Sequence, residues 1–281
     1  MKADLEEMTI AFDDARAYEH FMGRWSRAAG TTFLDWIAPP KNASWLDVGC
    51  GTGAFTKLVI EKCDPLAIVG IDPSTAQINF ALTQPAARQV TFRVAEAQSL
   101  PFPDHSFDIV AAALVVNFIS DVQRALGEMH RVGRPGGIVA AYVWDFGAGR
   151  APNSSVAIAL RQIGASVPPM PGTKYSSLDA LRATFWRAGF DSIEINSFEV
   201  TITFSDFEDF WSGQIPSFSP LAQIVATLPE FDRVRLRQQV REQWPAAADG
   251  RIACSARANA VKARVPPGSA ARPHRPTNKT P

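Results

Sequence analysis

Trp45-Leu46-Asp47-Val48-Gly49-Cys50-Gly51-Thr52-Gly53-Ala54-Phe55 is the stretch on which the fold turns. It has the pattern of a short buried strand running into a glycine-rich turn. A helix, Phe55-Thr56-Lys57-Leu58-Val59-Ile60-Glu61-Lys62, stands behind it. Glycine at every second position lets the backbone take dihedrals closed to other residues, and lets a ligand lie almost on the main chain. Free N–H groups at the following helix start then face polar or anionic ligand atoms. Together these features describe a nucleotide-type pocket.

Two kinds of nucleotide fit the glycines. Gly49-x-Gly51-x-x-Ala54 satisfies the dinucleotide fingerprint G-x-G-x-x-G/A, and Asp72 stands about 20 residues on, where a ribose-binding acid is expected. Asp47 argues for another ligand. A carboxylate two residues before the first glycine repels a pyrophosphate and attracts an ammonium or sulfonium. The run from Asp47 to Gly53, D-x-G-x-G-x-G, resembles motif I of the class I S-adenosylmethionine-dependent methyltransferases.

Further segments follow in the order that this resemblance implies. Leu66 to Asp72 is a second apolar strand ending in an acid. Asp72 beyond its carboxyl end is placed to accept both ribose hydroxyls, each charge-assisted bond contributing about 1.5–3 kcal/mol. The competing reading makes Asp72 a helix cap before Pro73-Ser74-Thr75. Val90 to Val94 alternates as a third strand, followed by Ala95-Glu96-Ala97-Gln98-Ser99-Leu100-Pro101-Phe102. The segment resembles the one that holds adenine in the family. The resemblance gives Glu96 the exocyclic amine and the Ala97 N–H the ring, although the family more often has Asp at the position of Glu96.

Phe107-Asp108 opens into a fourth strand, Ile109 to Leu114, with Asp108 structural at its amino end and His105 on an exposed turn. Val115-Val116-Asn117-Phe118 falls beside the expected methionine part of the cofactor. Enzymes that methylate amino groups of DNA bases carry D/N-P-P-Y/F here. This chain has Asn117-Phe118-Ile119-Ser120, without prolines and without a basic patch nearby. Asp121 to Val132 is an amphipathic helix, with His130 as a charge partner for its carboxyl end. Arg134-Pro135-Gly136-Gly137 predicts a turn before the fifth strand, Ile138 to Asp145.

The implied fold is α/β: a Rossmann-like, mostly parallel seven-stranded sheet with helices on both faces and the last strand antiparallel. Residues 1–40 are expected to be a pair of helices capping the cofactor site, and 41–145 the S-adenosylmethionine-binding core. Residues 146–250 form a substrate-side extension with a helix and the sixth strand, 251–265 the returning strand, and 266–281 a disordered tail. Within the extension, Ser177 to Ala188 predicts a helix with Leu178, Leu181, Phe185 and Trp186 on one face. The aromatics of 204–218 are expected to fill core, with pocket lining as the alternative. Tyr18-x-x-Phe21-Met22-Gly23-Arg24-Trp25 and the C-terminal extension resemble a bacterial branch related to quinone-biosynthesis methyltransferases.

Bulk properties constrain the rest. The 281 residues are 46% hydrophobic and 20% charged with no formal net charge, so no global field attracts nucleic acid or an anionic membrane. Five basic residues and no acid lie from Lys262 onward, which leaves about −5 on the remainder. Three cysteines and four histidines show no metal-ligand spacing. The acidic start lacks the apolar core of a signal peptide, and the longest apolar run, Ile109 to Val116, is too short to span a bilayer. A cytoplasmic location is expected.

These observations imply a methyltransferase that moves a methyl group from S-adenosyl-L-methionine to a small-molecule acceptor by in-line displacement. The expected cofactor contacts are Asp47, Gly49, Cys50, Gly51, Gly53, Asp72, Pro73, Glu96, Ala97 and Asn117, with no metal. Tyr142, Trp144, Asp145, Tyr175 and His20 are candidates to lie near the methyl, and none is assigned a catalytic role. Two alternatives remain: a protein that binds S-adenosylmethionine without turnover, and a nicotinamide-dependent oxidoreductase.

Overall fold

The computed structural model describes residues 15–215 and 219–267, with side chains from residue 22 onward. The predicted tail after 267, the first 14 residues, and the side chains of Tyr18 and His20 lie outside the described residues, as does Phe218. Seven strands form one sheet: β1 (Ser44–Val48), β2 (Ala67–Asp72), β3 (Thr91–Val94), β4 (Phe107–Ala113), β5 (Gly133–Trp144), β6 (Asp191–Phe204) and β7 (Ile252–Arg264). Their order is β3-β2-β1-β4-β5-β7-β6. β7 alone runs antiparallel, paired with β5 on one side and β6 on the other. All other strands therefore end at the same edge.

Period-two alternation assigns each strand residue to a face. Trp45, Ile109, Ala111, Ile138, Ala140, Tyr142 and Trp144 enter one core. It is covered by α1 (Ala15–Ile37), α2 (Ala54–Cys63), α5 (Ser154–Gln162) and the helices α7 (Phe207–Gln214), α8 (Pro220–Thr227) and α9 (Glu230–Gln243). Leu46, Val48, Val110, Ala112, Val139, Ala141 and Val143 enter the second core, under α4 (Val122–Val132) and α6 (Leu178–Arg187). The remaining helix, α3 (Thr75–Thr83), packs against β2 and β3.

Several expectations need correction. The N-terminal pair of helices is one continuous helix. Ser26-Arg27-Ala28-Ala29 contains no breaker, and Gly30 serves close packing: a Cβ there would stand 2.9 Å from Leu58 Cδ2 of α2. Arg134 to Gly137 does not separate two elements. It is looped out of β5 as a bulge between the Phe107–Gly133 and Ile109–Ile138 pairs, with Gly136 at φ 78°. Trp186 is 67% exposed rather than in the apolar face of α6, where Thr184 is buried instead. His130 is no surface charge partner: it is buried edge-on against Phe190, 5.1 Å between centroids, and burial lowers its pKa. Helix α8 is not anticipated from the sequence, although Ser219-Pro220 opens it with a capping serine and a proline at its first turn.

Candidate functional site

The site is built where β1, β2 and β4 end. Beyond β1 the chain turns back at once: Gly49 and Cys50 both donate to the Ile71 carbonyl, at 2.8 and 2.9 Å. Gly49 has φ 73°, and a Cβ there would lie 2.3 Å from Val115 Cγ2. Gly51, at φ 53°, faces open space, with only the Gln77 amide within 4 Å of where a Cβ would stand. The first glycine is therefore required by packing, and the second leaves room over the backbone.

Asp72 ties this loop to the next. Its Oδ2 accepts the Gly51 N–H at 3.0 Å and its Oδ1 accepts the Ser74 N–H at 2.9 Å. The helix cap proper is Ser74, whose Oγ accepts from the Gln77 N–H. Burial raises the Asp72 pKa, the Ser74 and Gly51 donors oppose that, and the Glu96 charge adds to it.

A cavity of about 220 Å³ opens over these groups. Six of the expected residues line it: Gly49, Gly51, Asp72, Pro73, Glu96 and Ala97. Ser74, Gln77, Gln98, Leu114, Val115, Phe118, Ile119 and Ser120 complete much of its wall. Gln98 Nε2 donates to Ser120 Oγ at 2.7 Å, joining the β3 and β4 loops.

Four expected residues do not line it. Cys50 is buried with its sulfur toward β2, 3.1 Å from where a Cβ on Gly70 would lie. Gly53 begins α2 at φ 82° and packs near Phe92. Asn117 is buried, with its amide donating to the Pro171 carbonyl at 3.4 Å. Asp47 lies beneath the loop with no exposure, on the same face as Trp45, and its Oδ2 accepts from Thr56 Oγ1 of α2 at 2.5 Å. Its other oxygen, Oδ1, has no hydrogen-bond partner among the described residues. Burial pushes the Asp47 pKa up to about 7, against the Thr56 hydrogen bond and helped by the Asp72 charge. The charge argued from the sequence is thus only partly present at neutral pH in the protein alone, and a nearby cation would favour it.

Two wall residues carry information beyond the motifs. Gln77, buried at the third position after Ser74, is not among the expected contacts, although its S-x-x-Q spacing could have marked it; the Ser74 N–H goes to Asp72 instead. Leu114 sits at φ 59°, a rare conformation for a branched residue that clusters at functional sites. No local signal in the sequence predicts it.

Among the residues expected near the methyl, Asp145 is committed. Its Oδ2 accepts Arg257 Nε at 2.9 Å and Nη2 at 2.8 Å, while Oδ1 accepts the Ala148 N–H. Tyr142 is buried among Phe33, Phe55 and Phe198. Trp144 meets Trp25 edge to face at 6.0 Å.

The comparisons with known proteins agree with this geometry. The family described as "Methyltransferase domain" matches residues 46–141, which run from the glycine loop to the middle of β5. An O-methyltransferase of Aspergillus nomiae is 37% identical over 160 residues, covering 56% of this chain and 68% of that one. The chain belongs to the class I S-adenosylmethionine-dependent methyltransferases. The chain is also similar to a demethylmenaquinone methyltransferase of Thermus thermophilus, 36% identical over 116 residues, or 41% of this chain. The chain spans about half the length of the first curated relatives it matches, 43% and 51% of two demethylmenaquinone methyltransferases. Among solved structures, the YcgJ protein of Bacillus subtilis superposes with a TM-score of 0.55 at 19% identity, covering 85% of this chain and 99% of that chain. Phosphoethanolamine N-methyltransferase 2 of Haemonchus contortus, solved with S-adenosyl-L-methionine, superposes at 0.56 with 19% identity, covering 92% and 58%. These two likenesses establish the fold.

Proposed function

We propose that the protein transfers a methyl group from S-adenosyl-L-methionine to a small-molecule acceptor. The observation that carries this reading is the cavity at the ends of β1, β2 and β4, where the Asp72 carboxylate and the open backbone of Gly51 meet. Asp47 Oδ1, without a partner among the described residues and behind that loop, suits a cationic ligand better than a pyrophosphate. When bound, S-adenosylmethionine supplies a methyl group made electrophilic by its sulfonium.

The residues divide the work as follows. Asp72 accepts ribose hydroxyls while keeping the Gly51 and Ser74 loops in register. Glu96 accepts from the adenine amine, the Ala97 N–H donates to the ring, and Pro73 and Ile71 pack beside them. Gly49 and Gly51 keep the main chain clear for the methionine part, with Asp47 the negative charge beneath it. Cys50, Gly53 and Asn117 hold the loops from behind. The protein's contribution to rate is orientation and exclusion of water, which supplies about 7–11 kcal/mol where a reacting pair is well aligned. Asp145 serves as a structural anchor for Arg257, not as a base.

The acceptor in this reading is a small organic molecule; the loop after β4, Asn117-Phe118-Ile119-Ser120, lacks the prolines of enzymes that methylate amino groups of DNA bases. Several relatives carry names of quinone-biosynthesis enzymes, which makes phenols and quinols the first acceptors to try. Transfer of labelled methyl from S-adenosylmethionine to such a panel tests the reading. Labelled product that depends on both protein and acceptor supports it. Tight cofactor binding without transfer to any acceptor class would favour a binding protein instead.

A further inference from the structure

A second cavity, of about 100 Å³, opens beyond the carboxyl end of β5. Phe146, two residues past that strand, lines it together with one face of α5, the segment 168–170 and Leu221 of α8. Asn153 at the start of α5, Ala157 and Arg161 recur at every fourth position and so share that face. The small side chain of Ala157 leaves space between the two polar ends. The cavity shares no lining residue with the cofactor cavity. Asn117 stands between the two: its amide donates to the Pro171 carbonyl, next to Met170 of one wall, and its neighbour Phe118 lines the other cavity.

Its chemistry is one-sided. Phe146, Ile158, Pro168, Pro169, Met170 and Leu221 make most of the lining apolar, and Ile158 is left 38% exposed. Two of the polar residues are committed: Ser154 Oγ accepts the Ala151 N–H at 2.9 Å, and Thr173 Oγ1 donates to the Met170 carbonyl at 2.7 Å. Arg161 is the one cation of the lining, which holds no acid. Its Nη2 donates to the Val167 carbonyl at 3.3 Å, and no carboxylate pairs with it among the described residues. Most of the five guanidinium donors are thus unused. An apolar cavity with one oriented polar group is the usual form of a small-molecule site.

We infer that this cavity is a ligand site separate from the cofactor's, and that its ligand is a short-chain carboxylate whose acid group meets Arg161. A guanidinium fork matches the two oxygens of a carboxylate. One cation balances one negative charge, which a phosphate dianion exceeds. An ammonium would meet like charge with no acid in the lining to hold it. The aliphatic body of the ligand covers Ile158 and Met170, removing apolar surface from water. No cofactor residue enters this inference, so it stands apart from the methyltransferase reading.

The test titrates wild-type protein, Arg161→Gln and Ala157→Leu with hexanoate, 1-hexanol and hexylamine, followed by ligand-observed NMR at low salt. The three probes share one chain and differ in charge. Wild type is expected to bind hexanoate about fivefold more tightly than hexanol, the upper range for an exposed ion pair, and hexylamine least. Added salt narrows the gap. Arg161→Gln brings hexanoate down to hexanol, and Ala157→Leu, which fills the cavity, weakens both. Melting temperatures report that the variants are folded, and S-adenosylhomocysteine affinity is unchanged in Arg161→Gln. Hexanoate bound no better than hexanol or hexylamine overturns the inference, as does equal hexanoate affinity in wild type and either variant. Loss of S-adenosylhomocysteine affinity in Arg161→Gln would overturn the separateness of the site. Should Ala157→Leu not fold, Ile158→Ala removes part of the apolar wall and is expected to weaken both probes.

Discussion

Two aspartates with the same chemistry behave differently because of where two strands leave them. Asp72 is the last residue of β2 and holds two backbone N–H groups while still lining the cavity. Asp72→Ala is expected to weaken S-adenosylmethionine binding about 10- to 100-fold, from the lost charge-assisted bonds. Calorimetry on the folded variant measures this, and unchanged affinity removes Asp72 from the ribose. Asp47 is one residue short of its strand's end and wholly buried, with its pKa raised from 3.8 to about 7. A raised carboxyl binds more protons in the folded than in the unfolded state between those two values. Its effect on stability is therefore most favourable below about pH 4, declines as pH rises to about 7, and is flat above. The full span amounts to about 4 kcal/mol at most. Denaturant titrations of wild type and Asp47→Asn should differ by a slope of this sign over pH 4–7. Parallel curves would mean that Asp47 keeps an ordinary pKa.

Elements carry the next set of consequences. Helix α1 is held by Phe33, fully buried and 4.6 Å from the Tyr142 ring, more than by its surface ion pairs. Phe33→Ala should cost about 3–5 kcal/mol in chemical denaturation, whereas Arg27→Ala, which loses only an exposed pair to Glu61, should cost under about 1 kcal/mol. Similar losses for both would show that packing does not hold the helix. The loop before α6 leans on the β4 loop: a Cβ on Gly172, at φ 60°, would fall 2.2 Å from the Asn117 carbonyl oxygen. Gly172→Ala is thus expected to lower the melting temperature and to disturb the Val115–Phe118 wall of the cavity. What the sequence made legible follows the same logic. Strands and their carboxyl ends were readable because apolar runs ended in glycine or acid at Gly49 and Asp72. Continuity of α1 was not, because Gly30 breaks propensity locally and is repaid by contact with Leu58. The Arg134–Gly137 bulge hid for a like reason: its Pro and Gly favour a turn, while the pairing of Phe107 with Gly133 keeps it within the strand. Leu114 escaped altogether, since a left-handed backbone at a branched residue is a product of tertiary packing.

At the scale of the whole molecule, the cavity lies where three strand ends and their loops meet, with Gln98 to Ser120 joining the loops after β3 and β4. A ligand there stabilises the folded state by mass action, by about 2.7 kcal/mol at a hundredfold excess over Kd. For a chain of this size that raises the melting temperature by about 2–4 °C for each 1 kcal/mol gained. S-adenosylhomocysteine should produce the same rise without reaction, and no rise would mean that the cavity is not its site. The antiparallel pair β7–β6 extends the sheet on the other side, and residues of α7 to α9 join the core on one of its faces. The measurement that reaches the centre of this account is calorimetric titration of the purified protein with S-adenosylmethionine, with NADH and NADPH alongside. The account predicts one site of about micromolar affinity for S-adenosylmethionine and none for the nicotinamides. Folded protein, free of copurified cofactor, that binds no S-adenosylmethionine or binds NADH in its place would contradict it.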